Sequence, residues 1–188
     1  MAAMPIGFHA VLTLLLAAAP AQGSPQRVVE AAPAGPRPPR GTAPLRAAMV
    51  AGHDRARADL GLPPLRWDPA LVAAADVYAR ELARTARFAH SVQPRDATRQ
   101  GENLFVGSRG DYSFVEMMDL WLAEKHDFVN RPAPGFSRTG RPGDVTHYAQ
   151  IVWRATTAYG CALASNARDD YLVCRYSPSG NDAGERAY

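Results

Sequence analysis

Residues 147–153, His147-Tyr148-Ala149-Gln150-Ile151-Val152-Trp153, open on an imidazole and close on a run of large apolar side chains. The run is suited to a core, so the histidine at its mouth either makes a structural hydrogen bond or looks into a cavity with that core as its floor. Deciding between the two requires the other polar groups that are aimed inward, and those depend on the elements around them.

Upstream the apolar period is helical. Met49, His53, Ala56 and Leu60 follow i, i+4, i+7, i+11, and Gly61 with Pro63-Pro64 ends the segment. Asp68 and Pro69 fit the N-cap and first position of a second helix, with Leu71, Ala75, Tyr78 and Leu82 on one face. Ser113-Phe114-Val115-Glu116 spells a capping box. On the helix it starts, Met117, Trp121, Glu124 and Phe128 share a stripe, which places the Glu124 carboxylate on the face to be buried. Burying that charge is costly without a partner.

Two β-prone runs near the C-terminus, YGCALA (159–164) and DYLVCRY (170–176), are joined by a short polar turn and predict a hairpin. Strand alternation sends Tyr171, Val173 and Arg175 one way and Leu172, Cys174 and Tyr176 the other. In a suitable register Cys174 meets Cys161, and closing that loop adds about 3 kcal/mol in the chain-entropy model. Two buried free thiols are the alternative.

At 188 residues and 47% hydrophobic, the chain has the size of one globular domain with extra segments. Residues 6–19, IGFHAVLTLLLAAA, are too short for an ordinary membrane span, and Ala19-Pro20-Ala21 supplies an A-x-A-like cleavage site. Residues 1–21 therefore read as a signal peptide, although no Lys or Arg precedes the apolar run. Residues 22–44 are dense in Pro, Gly and Ala and read as a disordered, extended linker that packs nothing. The domain is expected over 45–188, with a tail at 182–188. Three arginines against one glutamate in the linker account for +2 of the +3 net charge, leaving +1 for residues 45–188. That balance, without a basic stripe interleaved with aromatics, argues against a nucleic-acid partner.

Beside Glu124 and His147, two more polar residues border apolar runs: His90 after Phe88-Ala89, and Glu102 just ahead of a strand-like run. HExxH, CxxC pairs, GxSxG and a Walker loop are all absent. From the residues alone the chain is an exported α/β domain with inward-facing polar groups.

Several motifs extend this reading. His53-Asp54-Arg55-Ala56-Arg57 resembles an HNxxR helix with Asp for Asn, and Gly101-Glu102-Asn103-Leu104 a GENL segment. THYAQIVWRATT (146–157) and the stretch from Tyr171 to Asp182 are similar to two signatures of the CAP superfamily, the cysteine-rich secretory, antigen five and pathogenesis-related proteins. Within it the likeness is greatest to plant pathogenesis-related class 1 proteins. The resemblance implies a three-layer α-β-α sandwich around an antiparallel sheet. It also implies a central cleft lined by His90, Glu102, Glu124 and His147, a set suited to Zn²⁺ or another divalent cation, though no cofactor is required. On that reading His147 faces the cleft above Ile151, Val152 and Trp153. His53 takes a supporting role, and Lys125 and His126 belong to the solvated face.

Two departures stand out. Plant members usually carry three disulfides, and this chain can form one. Residues 129–145, VNRPAPGFSRTGRPGDV, fall where plant relatives place cysteines and are expected to form a mobile cleft loop. The implied function is a secreted protein, extracellular or periplasmic, that binds lipid, sterol or cell-envelope ligands. A metal-assisted hydrolase of peptides or esters, with Glu102 or Glu124 handling protons, is the alternative. A precursor of a C-terminal signalling peptide is a third reading. The chain is expected to be a monomer with no transmembrane segment.

Overall fold

The computed structural model describes residues 38–188; the stretch read as a signal peptide and most of the linker lie outside the described residues. Four helices and four strands follow in the order α1 (Thr42–Ala58), β1 (Arg66–Trp67), α2 (Pro69–Thr85), β2 (Gly101–Ser108), α3 (Phe114–Ala123), α4 (Thr146–Ile151), β3 (Ala158–Ser165) and β4 (Asp169–Ser177).

The helix starts follow local chemistry. The Asp68 side chain accepts from the amides of Ala70 and Leu71 with Pro69 at the first position, and the Ser113/Glu116 capping box is complete. Helix α1 begins at Thr42, inside the stretch assigned to the linker, and Arg40 before it already pairs with Asp170. The linker reading fails at that end because Leu45 and Met49 give the first two turns an apolar face to bury.

The sheet order is β1-β3-β4-β2. The β3–β4 hairpin and the β2–β4 pair are antiparallel, but two-residue β1 pairs parallel to β3, so the sheet is mixed. Register sets Cys161 opposite Cys174, and the two form the disulfide. Alternation divides β4 as the sequence predicts. Leu172, Cys174 and Tyr176 enter the core shared with α1, α3 and α4, whereas Tyr171 and Val173 enter a second core beneath α2. These are the three layers of the sandwich. On the α2 side the contact is close: a Cβ added at Gly160 would lie 2.4 Å from the Val72 amide nitrogen.

One irregular segment departs from expectation. Residues 129–145 are tied down: Ala133, Phe136 and Val145 are buried, and the Val129 amide donates to Phe136 O at 2.8 Å. The apolar side chains among the Pro and Gly residues anchor this segment. The C-terminal stretch is likewise docked. Ala187 is buried, Ala133 N donates to Glu185 O at 2.8 Å, and Tyr188 lies against Phe128.

Candidate functional site: two histidine–glutamate pairs and an apolar cavity

Helix α3 ends at Ala123, and Glu124 begins a single 3₁₀ turn, which turns its side chain toward the first turn of α4. That short helix has no side-chain cap of its own, and Glu124 supplies one from outside. Its Oε2 accepts from the Tyr148 amide at 2.9 Å, and its Oε1 from His147 Nδ1 at 2.6 Å. The His147 ring stacks on Trp121, with centroids 5.7 Å apart. Ile151, Val152 and Trp153 are buried below, as the opening heptapeptide suggests.

The second pair is built on the sheet. Glu102 lies within β2, not ahead of it, because Gly101 and Glu102 are already in register with Tyr176 and Arg175 of β4. Its Oε1 accepts from His90 Nδ1 at 2.7 Å and from the Ser91 amide at 3.0 Å. Its Oε2 accepts from Ser91 Oγ at 2.8 Å and lies 3.0 Å from an Arg175 amino group. Burial alone would raise the Glu102 carboxyl pKa, but the His90 bond, the Arg175 charge and the two Ser91 bonds outweigh it and hold it below the ordinary glutamate value. Arg175 stands over the Tyr78 ring at 5.1 Å, and Tyr78 donates to Ala89 O at 2.6 Å, fixing the approach to His90.

An ionised carboxylate only accepts, so both histidines donate through Nδ1. In the neutral rings Nε2 is then an acceptor, and no described residue bonds to it. A buried network supports the His147 side from behind. His53 Nδ1 donates to Met49 O at 2.7 Å, so Tyr176 OH donates to His53 Nε2 at 3.0 Å. Asn103 Nδ2 donates both to the Tyr176 oxygen and to His147 O, each at 3.1 Å. Burial, with a smaller contribution from Arg57 and against the Met49 bond, lowers His53 to about 4 and keeps it neutral. His53 is thus a brace, while Lys125 pairs with Asp59 at the surface and His126 is exposed.

The four cleft residues come together as two pairs. Among the described residues no three His, Cys, Asp or Glu side chains group as a set that could hold a metal. Each carboxylate is turned to its own partners: Glu102 accepts three hydrogen bonds and pairs with Arg175, and Glu124 accepts one bond on each oxygen. A four-ligand Zn²⁺ centre does not fit this arrangement; what remains for a cation is the two Nε2 atoms. Ser91 Oγ points at a carboxylate rather than an imidazole, so it is not activated as a nucleophile.

Ser91, Arg175, Asn103 and Tyr176 were not singled out by sequence reasoning. Arg175 carried a signal: it alternates with Tyr171 and Val173 on a face destined for burial, where a charge needs a counter-ion.

Away from these pairs, a cavity of about 1120 Å³ separates α1 from α2 over the β3 edge, where β1 has ended. Leu45, Val50, Trp67, Val72, Phe114 and Leu163 are among its walls, and Arg46, Asp76 and Arg80 supply charge.

An α-β-α sandwich with paired His and Glu in its cleft defines a class, and comparison with known proteins identifies it. Residues 50–176 match the model of the cysteine-rich secretory protein (CAP) family. The chain belongs to that family. It is 37% identical over 141 residues to a PR-1 type pathogenesis-related protein of Sambucus nigra, covering 74% of this chain and 79% of the relative. It is 35% identical over 140 residues to pathogenesis-related protein 1 of Arabidopsis thaliana, covering 74% and 80%. Among solved structures, NaASP2 with Zn²⁺ superposes with a TM-score of 0.61 at 23% identity, covering 78% of this chain and 86% of that one. Venom allergen-like protein 4 of Schistosoma mansoni gives 0.55 at 23% identity, covering 78% and 96%. At these identities the structural likeness speaks for the fold.

Proposed function

We propose that this protein is exported to the extracellular space and carries a lipid in the cavity between α1 and α2, the His–Glu pairs serving as braces of the neighbouring cleft. The observation that carries the reading is the cavity: its volume of about 1120 Å³ lies just above the usual range of small-molecule sites, roughly 300–1,000 Å³, and its walls combine apolar side chains with a few charged groups. The relatives named as pathogenesis-related proteins support a defence-related role. Metal-assisted hydrolysis has less support, because among the described residues no three His, Cys, Asp or Glu side chains group as a metal-holding set.

The test is equilibrium binding of a fluorescent long-chain fatty acid, with radiolabelled cholesterol in parallel. Val50→Trp, which fills the cavity, should weaken fatty-acid binding at least about tenfold, the loss of one good apolar site contact. His90→Ala and His147→Ala should leave it within about twofold. The opposite pattern would move the ligand to the cleft, and binding of cholesterol alone would make the ligand a sterol.

A further inference from the structure

The chain before α1 is held at one side of the cavity by the side-chain contacts of Arg40. Arg40 places an amino nitrogen 2.9 Å from Asp170 Oδ2 and its guanidinium 5.4 Å from the centre of the Phe114 ring. Asp170 is a prepared anchor: its side chain is 3% exposed, and it also accepts from the Gly110 amide at 2.9 Å and from Ser165 Oγ at 2.5 Å. Phe114, under the guanidinium, is itself a cavity wall, and so is Gly41 on the other side of Arg40. Gly41 has φ +115°, a backbone state that side chains rarely adopt, and no atom stands within 4 Å of where a Cβ would be. Pro38 and Pro39 precede this point, and their fixed φ makes the arm stiff. A stiff arm, a latch on a buried carboxylate and a glycine pivot therefore follow one another at the wall of a ligand-sized space.

We infer that residues 38–41 form a strap that gates the α1–α2 cavity, closed by the Arg40–Asp170 ion pair and pivoting at Gly41. This inference rests on the lipid-carrier reading, for it names how that site is opened. The strap touches the edge of the cavity and not its apolar depth, so releasing it should change the speed of exchange more than the affinity.

Stopped-flow binding of cis-parinaric acid to the full chain tests it. Arg40→Ala removes the latch, and Gly41→Ala forbids the pivot its conformation; near-ultraviolet circular dichroism checks that each variant is folded. Both variants should raise the association and dissociation rate constants together by about fivefold or more, with Kd held within about twofold, the signature of a gate. Arg40→Lys, which can still reach Asp170, should restore slow exchange. A parent that excludes the probe while Arg40→Ala admits it would also support the strap. Unchanged rates in both variants, with the parent binding, would overturn the gate and leave the carrier reading standing. A rise in dissociation alone would overturn it too, by making Arg40 a ligand contact. Failure of every variant to bind would remove the carrier reading and the gate together.

Discussion

The two His–Glu pairs use the same chemistry in different settings. Glu102 sits at the second residue of the edge strand β2, its side chain 2% exposed, with three hydrogen-bond donors and a buried guanidinium beside it. Glu124 sits at a helix end, 16% exposed, with an imidazole and one amide. A carboxylate with a buried cation behind it holds the fold, whereas one that caps a short helix at the surface shapes it locally. The difference teaches that equal composition around a cleft does not make its members equivalent.

Glu102→Gln is the strongest way to test this contrast. It strands the Arg175 charge in the core, and denaturant unfolding should show a loss of about 3–5 kcal/mol. A loss under about 1 kcal/mol would mean that the pair is no brace.

Acid acts on Glu102 and on the His53 brace in different ranges. His53 is held at about 4 when folded against an ordinary 6.5, so the unfolded chain takes up a proton that the native one refuses. Stability is therefore complete above pH 6.5, and about 3 kcal/mol is lost as pH falls to 4. The Glu102 contribution behaves differently: it is present above the unfolded glutamate value and lost as pH drops through its lowered folded value. In urea unfolding measured against pH, Glu102→Gln should lack this lower arm and keep the upper one. Glu124→Gln should keep both.

Glu124→Ala leaves the Tyr148 amide and His147 Nδ1 without their acceptor, near enough to the surface for water to replace it, and should cost about 1–2 kcal/mol. Equal losses at the two glutamates would erase the distinction drawn here. The smallest effect concerns metal. With the carboxylates engaged, Zn²⁺ added after chelator treatment should stabilise by less than about 0.4 kcal/mol, the gain when free metal only equals Kd. A larger shift in calorimetry, abolished by His147→Ala, would show that the imidazoles hold a metal.

The unequal legibility of these regions has a physical origin. The Asp68 cap, the Ser113 box and the alternation along β4 are written within a few neighbouring residues, and sequence period suffices to read them. That Glu124 and His147 face inward was legible too, since each interrupts an apolar pattern. Their grouping was not: whether four dispersed residues meet as one set or as two pairs depends on β2–β4 register and on where α3 stops. Residues 129–145 misled for a related reason. Pro and Gly mark irregular backbone, but Phe136 and Val145 decide whether it is held, and their partners lie in distant elements. Arg40 was lost in a Pro-rich composition although its counter-ion is 130 positions away.

The closeness of α2 to β3 at Gly160 bears on how freely this sequence can drift. The obstacle to a side chain there is backbone, Val72 N at 2.4 Å and Asp68 O at 2.8 Å, which no rotamer change can move aside. A library randomised at position 160 and selected for folding should return glycine almost alone. One added methyl group is enough to wedge two layers apart, so a point that carries no charge, ligand or hydrogen-bonding side chain is among the least substitutable in the molecule.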